Sequence, residues 1–183
     1  MSKKKDDMMW GALIHIGRNG WAEKSAADHV RFDENLWNDV SRELKRKGAN
    51  TVVFSLGEAL QYPSHPELWV KGSWSPEKLS AELARLRSMG LEPVPKLNFS
   101  TGHDQWLKEF GRLLGTRKYY EVVRDLINDI CDIFDNPRLV HIGLDEELFD
   151  SLVEDIIVDT SDEIKFKLIG GLVLKEAIER THR

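Results

Sequence analysis

Leu139-Val-His-Ile-Gly-Leu-Asp-Glu-Glu147 is an apolar segment that ends in three consecutive carboxylates. A strand this rich in apolar side chains is covered on both faces, so its last residues emerge at the rim of a packed sheet. Carboxylates gathered at such a rim push one another's pKa values apart, which suits one as an acid and another as a charge stabiliser. The alternative interpretation is helix capping, in which Asp145, Glu146 and Glu147 meet the positive end of a helix dipole.

Three similar apolar segments precede this one, so the four predicted strands are residues 10–16, 51–56, 93–99 and 139–144. Amphipathic helical patterns separate them. The first predicted helix, 33–47, starts at a capping Asp33 and places four apolar residues on one stripe: Leu36, Trp37, Val40 and Leu44. The second follows Ser75-Pro76 and stops at Gly90. The third is 118–134. The order of elements is therefore strand and helix in strict alternation.

Such alternation predicts an α/β fold in which parallel strands are joined by helical crossovers. Four βα-type units make half of a (β/α)8 (TIM) barrel. The segments that follow strands, 17–31, 57–74 and 100–117, are long, and this is the face where barrel enzymes build active sites. We expect a flexible N-terminus at residues 1–8, the half barrel at 9–147, and a short helix with a β-hairpin tail at 148–183.

The composition excludes several classes of function. The net charge of −5 argues against a general binder of nucleic acid or of anionic membranes. Neither a secretory signal nor a membrane span is indicated, so a cytoplasmic location is the default prediction. Cys131 is the only cysteine, no close histidine pair has ligand spacing, and no phosphate-binding glycine-rich loop is present. We therefore assign no metal and no cofactor.

Residue parity within the strands predicts that one set of polar side chains shares the barrel interior. The members of that set are His15, Ser55, Lys96 with Asn98, and His141 with Asp145. The opposite parity, which includes Ile14, Phe54, Leu97 and Ile142, is expected to face the helices. A structural alternative is that Lys96 simply forms an ion pair with Asp145 or Glu146.

The loops after the first three strands add polar and aromatic residues that suit a carbohydrate, because flat rings stack on sugars while fixed polar groups orient hydroxyls. The candidates after the second strand are Glu58, Tyr62 and His65. Individual tryptophans more often pack than bind ligands. The predicted substrate-binding residues are His15, Arg18, Asn19, Lys96, Asn98, His103, Asp104, Trp106 and His141.

The stretch from residue 10 to 147 resembles the barrel domain of glycoside hydrolases related to family 20, the β-N-acetylhexosaminidase group. His141-Ile-Gly143-Leu-Asp145-Glu146 is similar to that family's His-x-Gly-x-Asp-Glu signature at the end of the fourth strand. The resemblance implies that Glu146 is the general acid and that Asp145 orients the substrate's 2-acetamido group, which itself attacks the anomeric carbon. Lys96-Leu-Asn98 and His103-Asp104-x-Trp106 also resemble uncharacterised relatives.

The chain departs from that family after Glu147, because a complete barrel has eight strands and commonly about 250 residues. Residues 149–176 weakly resemble the C-terminal strand segment of large serine recombinases, which would make the chain a chimera. Three hypotheses remain open: a glycoside hydrolase-like half barrel, active or inactive; a non-catalytic carbohydrate-binding or structural module; and a homo-oligomer in which two half barrels cover each other's open sheet edges.

Overall fold

The computed structural model describes residues 8–17, 27–99 and 104–143, together with the strand backbones at 153–160, 163–168 and 173–177. The chain divides into two units, residues 1–143 and 144–183. The first unit contains a three-stranded parallel sheet with helices, and the second contains a three-stranded antiparallel sheet.

Strands and helices alternate through the first unit, as predicted. The elements are β1 (Gly11–His15), α1 (Glu34–Arg46), β2 (Thr51–Ser55), α2 (Pro76–Ser88), β3 (Glu92–Lys96) and α3 (Arg117–Ile133). Both pairings in the sheet are parallel and join consecutive strands, in the order β1-β2-β3. Short 3₁₀ helices at Gly57–Ala59, Pro66–Leu68 and Gln105–Leu113 occupy the loops after β2 and β3. This arrangement is an α/β fold consistent with part of a TIM barrel.

The predicted fourth strand is much shorter than expected. In the part of 139–144 that the structure describes, one parallel bridge joins His141 to Lys96 at the edge of β3. The His141 N–H donates to the Pro95 carbonyl at 2.9 Å, and the Leu97 N–H donates to the His141 carbonyl at 3.0 Å. The backbone then leaves the extended conformation at Gly143, whose φ of +69° belongs to the left-handed region.

Side-chain caps explain where the helices begin. Asp33 accepts hydrogen bonds from the backbone of Asn35 and Leu36, Ser75 accepts one from Lys78, and Thr116 accepts one from Tyr119. Pro76 occupies the first position of α2, where its missing N–H has no intrahelical partner to lose. The starts of α1 and α2 agree with the sequence prediction, whereas α3 begins one residue earlier than predicted.

The core lies between the sheet and the three helices. Phe54 on β2 and Leu97 just after β3 are fully buried, and Ile14 on β1 packs partly against them. Each helix contributes an apolar stripe to this core, consisting of Trp37 from α1; Leu79, Leu83 and Leu86 from α2; and Tyr119, Val122, Leu126 and Ile130 from α3.

Two predicted core positions are wrong. Leu36 is 61% exposed, because the buried stripe of α1 is centred on Trp37 and Ser41 and turns Leu36 away from the sheet. Ile142 is 41% exposed, since the short bridge at His141 gives it no extended neighbours to pack beside. The alternation of faces therefore holds for β1, β2 and β3 and fails beyond the single bridge.

The second unit is an antiparallel meander of β4 (Val153–Thr160), β5 (Glu163–Leu168) and β6 (Val173–Ala177). In the central registers Ile156 pairs with Phe166, and Phe166 pairs with Leu174. The pairing of β4 with β5 contains register irregularities near both ends of β4.

Candidate functional site

One lateral row of polar residues crosses the carboxyl end of the parallel sheet. His15, Ser55 and Lys96 are partners in the register of β1, β2 and β3, and His141 joins the row through its bridge to Lys96. Partners in a parallel ladder point to the same side of the sheet. Since Ile14, Phe54 and Leu97 pack in the core, the row points to the opposite face, in agreement with the predicted parity.

Lys96 is the cation of this row, and it is only partly exposed. Desolvation by burial lowers the pKa of its ammonium group. The pKa of His141 is also lowered, first by desolvation and second by the positive charge of Lys96, against the opposing effect of a backbone hydrogen bond. The charge of Lys96 thus acts on the imidazole, which is held towards its neutral form.

Gly143 fixes the ring of His141. Its backbone N–H donates to Nδ1 of His141 at 3.0 Å, so in the neutral ring the proton is on Nε2, which becomes a donor. A Cβ atom at position 143 would lie 2.3 Å from Oδ1 of Asn98 and 2.7 Å from Cα of Asn98. The second residue after His141 must therefore be glycine, both for its left-handed backbone and for this close approach.

Trp106 supports the end of β3 from the side of the loop. Its indole N–H donates to the carbonyl of Asn98 at 2.9 Å, and only 5% of the residue is exposed. The ring packs against Tyr62 and Phe99, with centroid separations of 5.8 and 6.1 Å. The structure therefore gives Trp106 a packing role, and its predicted contact with a substrate stays a prediction.

Asp104 lies at the start of the same loop helix and is partly buried. Its backbone carbonyl accepts from the N–H of Leu107 at 2.9 Å. The hydroxyl of Tyr119 donates to the Phe99 carbonyl at 2.9 Å. Desolvation, and secondarily the charge of Asp104, raise the pKa of Tyr119 to about 12. Tyr119 thus braces the segment that carries Asn98 and Phe99.

Glu58 is a buried carboxylate in the loop after β2, where the sequence names it as a candidate without assigning it to the substrate-binding set. It lies three residues beyond the end of β2, is 2% exposed, and its Oε2 lies 3.1 Å from where a Cβ on Gly17 would be. Its charge is the second cause, after desolvation, of the raised pKa of Tyr62. An acid two residues after a buried strand is the sequence signal that points to it, because loops after strands converge at one end of a parallel sheet.

Five of the predicted site residues lie outside the described residues: Arg18, Asn19, His103, Asp145 and Glu146. The others, His15, Lys96, Asn98, Asp104, Trp106 and His141, lie on strand ends or on the loop after β3. Of these, the strand register brings His15, Lys96 and His141 into one row, while Asn98, Asp104 and Trp106 belong to the supporting segment.

The described ranges contain no group of three histidine, cysteine or acidic residues arranged to hold a metal ion. No helix among them is long and apolar enough to cross a membrane. A cavity of about 470 Å³ lies at the opposite, amino-terminal end of the strands, between Arg87, Glu92, Phe134, Pro137 and Arg138, and includes none of the predicted site residues.

No protein-family model matches this chain. No curated protein matches it either. The chain does match solved structures. It is similar to a mutant β-hexosaminidase of Streptomyces plicatus in complex with the product GlcNAc, with a TM-score of 0.58 and 14% identity over 73% of this chain and 32% of that chain.

The same Streptomyces plicatus enzyme in complex with Thio-NAglucal gives a TM-score of 0.59 at 14% identity, over 78% of this chain and 33% of the other. A β-N-acetylhexosaminidase from Bacteroides fragilis gives 0.57 at 12% identity, over 74% and 32%. These structures give no support to the resemblance of the tail to recombinases. The chain spans about a third of the length of these enzymes and, at such low identity, what it shares with them is the fold.

Proposed function

We propose that the chain is a glycoside hydrolase-like half barrel related to β-N-acetylhexosaminidases. In this proposal it has four βα-type units, and the bridge at His141 begins the strand of the fourth unit. The observation that carries this proposal is the similarity of fold to β-hexosaminidases, which in the solved complexes hold GlcNAc or Thio-NAglucal. It is supported by the setting of the His-x-Gly-x-Asp-Glu motif, whose His141 and Gly143 are locked together beside β3.

In this proposal Glu146 protonates the oxygen of the leaving group, and Asp145 orients the 2-acetamido group while that group attacks the anomeric carbon. The bond from the anomeric carbon to the leaving oxygen breaks as the bond to the acetamido oxygen forms. Water then attacks the anomeric carbon, the bond to the acetamido oxygen breaks, and the proton that water loses returns to Glu146. His141 and Lys96 precede the acids on neighbouring strand ends, where they line the same face of the sheet. The ligand is a carbohydrate, and the reaction is hydrolysis of a glycosidic bond.

The test is hydrolysis of chitobiose and of 4-nitrophenyl N-acetylglucosaminide by the wild type, Glu146→Gln and Glu147→Gln. Because a sugar is a poor leaving group, Glu146→Gln is expected to reduce kcat/KM for chitobiose by about a hundredfold or more. The loss should be smaller for nitrophenolate, which leaves without a proton. Glu147→Gln, the adjacent carboxylate, is the matched control and should retain activity.

Equal rates for the wild type and Glu146→Gln would contradict the catalytic assignment. So would an equal loss in Glu147→Gln, since the effect would then reflect local charge or folding. Circular dichroism of all three proteins, compared at one temperature, separates loss of the fold from loss of the acid.

A non-catalytic carbohydrate-binding or structural module is the second candidate function. It is favoured by one observation, namely that the described part of the predicted fourth strand forms a single bridge to β3. Saturable binding of GlcNAc without any turnover of chitobiose would support this candidate over the first. A third arrangement joins two half barrels through their open edges, and light scattering that finds a dimer would support it.

A further inference from the structure

His65 is a buried histidine in the loop after β2, and only one of its two ring nitrogens has a hydrogen-bond partner. The residue is 6% exposed, and its ring packs edge-on against Phe110 with centroids 5.5 Å apart. Nδ1 lies 2.8 Å from Oε1 of Glu67. Nε2 is buried, and none of the described residues forms a hydrogen bond with it. An unpaired buried polar atom costs free energy, so this nitrogen points to a ligand that would complete it.

Glu67 decides which nitrogen of the neutral ring carries the proton. Desolvation by burial raises the pKa of Glu67, but the hydrogen bond with His65 and the backbone contacts outweigh it, so the pKa is lowered and the acid is ionised. A carboxylate only accepts hydrogen bonds, so Nδ1 is the donor and Nε2 presents a lone pair. Histidines that bind metal ions have this arrangement, in which the other ring nitrogen donates to a carboxylate.

Asp125 on α3 supplies a second acceptor in front of that lone pair. Its Oδ2 lies 3.7 Å from Nε2 of His65, while its Oδ1 accepts from Nε and Nη2 of Arg124 at 3.1 and 2.9 Å. Two acceptors that face each other repel, and a cation between them removes the repulsion. Two ligand atoms of a tetrahedral zinc ion, each about 2.1 Å from the metal, are about 3.4 Å apart. A small rotation of the Asp125 side chain, which is 35% exposed, gives this separation.

The loop that carries His65 is fastened to α3 independently of any metal. Asp129, one helical turn beyond Asp125, accepts from the backbone N–H and from the hydroxyl of Ser64 at 3.0 and 2.6 Å. Because Ser64 precedes His65, these two bonds hold the imidazole beside the face of α3 that carries Asp125. The two facing acceptors are therefore preorganised by their neighbours.

His29 shows what distinguishes this histidine from another histidine beside an acid. Its Nδ1 lies 2.5 Å from Oδ1 of Asp28, which resembles the pairing of His65 with Glu67. Nε2 of His29, however, accepts from Nε of Arg31 at 3.0 Å, and the side chain is 40% exposed. The lone pair of His29 is thus used within the chain, whereas that of His65 is not.

We propose that Nε2 of His65 and Oδ2 of Asp125 bind a divalent transition metal ion, represented by Zn²⁺, with water as the remaining ligands. An imidazole nitrogen beside a carboxylate oxygen suits zinc, whereas Mg²⁺ and Ca²⁺ prefer oxygen ligands alone. Two protein ligands agree with the lack of a group of three in the described ranges. The ion would join the loop after β2 to α3, and this inference does not depend on the proposed function.

The experiment titrates the full-length chain with ZnCl₂ by calorimetry, after EDTA has been used and removed. We expect one saturable site and a raised melting temperature, and no such shift with MgCl₂. His65→Gln and Asp125→Asn should abolish the site, and Glu67→Gln should weaken it about 10–100-fold. The matched controls His29→Gln and Asp132→Asn, an exposed acid on the same helix, should bind zinc as the wild type does.

NMR of the His65 ring with zinc in excess gives a second readout, because a metal on Nε2 leaves that nitrogen without a proton. Nε2 that carries a proton under these conditions would overturn the inference. So would the lack of a saturable zinc site, or affinity that survives in both His65→Gln and Asp125→Asn. If His65→Gln fails to fold by circular dichroism, Asp125→Asn still decides, because that side chain is partly exposed.

Discussion

The two faces of the parallel sheet differ in what they do for the molecule. The face towards the helices contains Phe54 and Leu97, which are fully buried and apolar. The opposite face contains Leu13, Lys96 and His141, which are exposed or partly exposed. Along one strand, residues that pack in the core therefore alternate with residues that face the candidate site. Substitutions at neighbouring positions should differ in how far they lower the free energy of unfolding.

The largest difference is expected between Phe54→Ala and Leu13→Ala. Removing the buried ring of Phe54 should lower the free energy of unfolding by about 3–5 kcal/mol, because it deletes apolar contacts and leaves a cavity. Leu13 is 41% exposed on the other face, and its truncation should cost about 1 kcal/mol or less. Urea denaturation of both variants measures the contrast. Similar losses for the two would mean that the open face is covered as well as the core.

Gly143→Ala and Gly115→Ala form the next pair, because both glycines have positive φ values, +69° and +82°. Only Gly143 is crowded, by Asn98, whereas nothing lies within 4 Å of a Cβ on Gly115. Gly115→Ala should cost about 1 kcal/mol from backbone strain, and Gly143→Ala about 2–4 kcal/mol from strain plus overpacking. Denaturant midpoints test this, and equal losses would refute the close approach at Gly143.

The smallest expected effect is the pH dependence that His141 contributes. Its pKa in the folded chain is lowered from the ordinary value of 6.5, so below that value the unfolded chain binds the proton more readily. Stability from this group is therefore present above pH 6.5 and is lost as the pH falls. We expect His141→Gln to show a shallower decline in denaturant midpoint between pH 7.5 and 5.5 than the wild type. An identical decline would contradict the lowered pKa.

Much of the first unit is predictable from sequence because its signals are local. Caps such as Asp33 and Ser75 bond to backbone groups only two or three residues away, so their effect does not depend on the rest of the fold. The same holds for the alternation of β1, β2 and β3, since a strand has a period of two whichever neighbours it acquires. The row of His15, Ser55 and Lys96 follows from that period together with parallel register.

What could not be predicted depends on contacts between distant residues. The burial of Trp106 follows from its hydrogen bond to Asn98 and its packing on Tyr62, which come from different loops. The exposure of Ile142 follows from the short bridge at His141, and that of Leu36 from which face of α1, the one with Trp37 and Ser41, packs on the core. The assignment of Asp145 and Glu146 as a catalytic pair stays a prediction from the motif.

The strand order β1-β2-β3, with the bridge at His141 beside β3, is also the order in which these segments are synthesised. Among the described residues of the first unit, each pairing joins a strand to the one made immediately before it, so each new strand and helix can add to a finished edge without waiting for a distant partner. Within this described part, no strand has to be inserted between two that are already paired. The sheet can therefore grow during synthesis in one direction, one βα unit at a time.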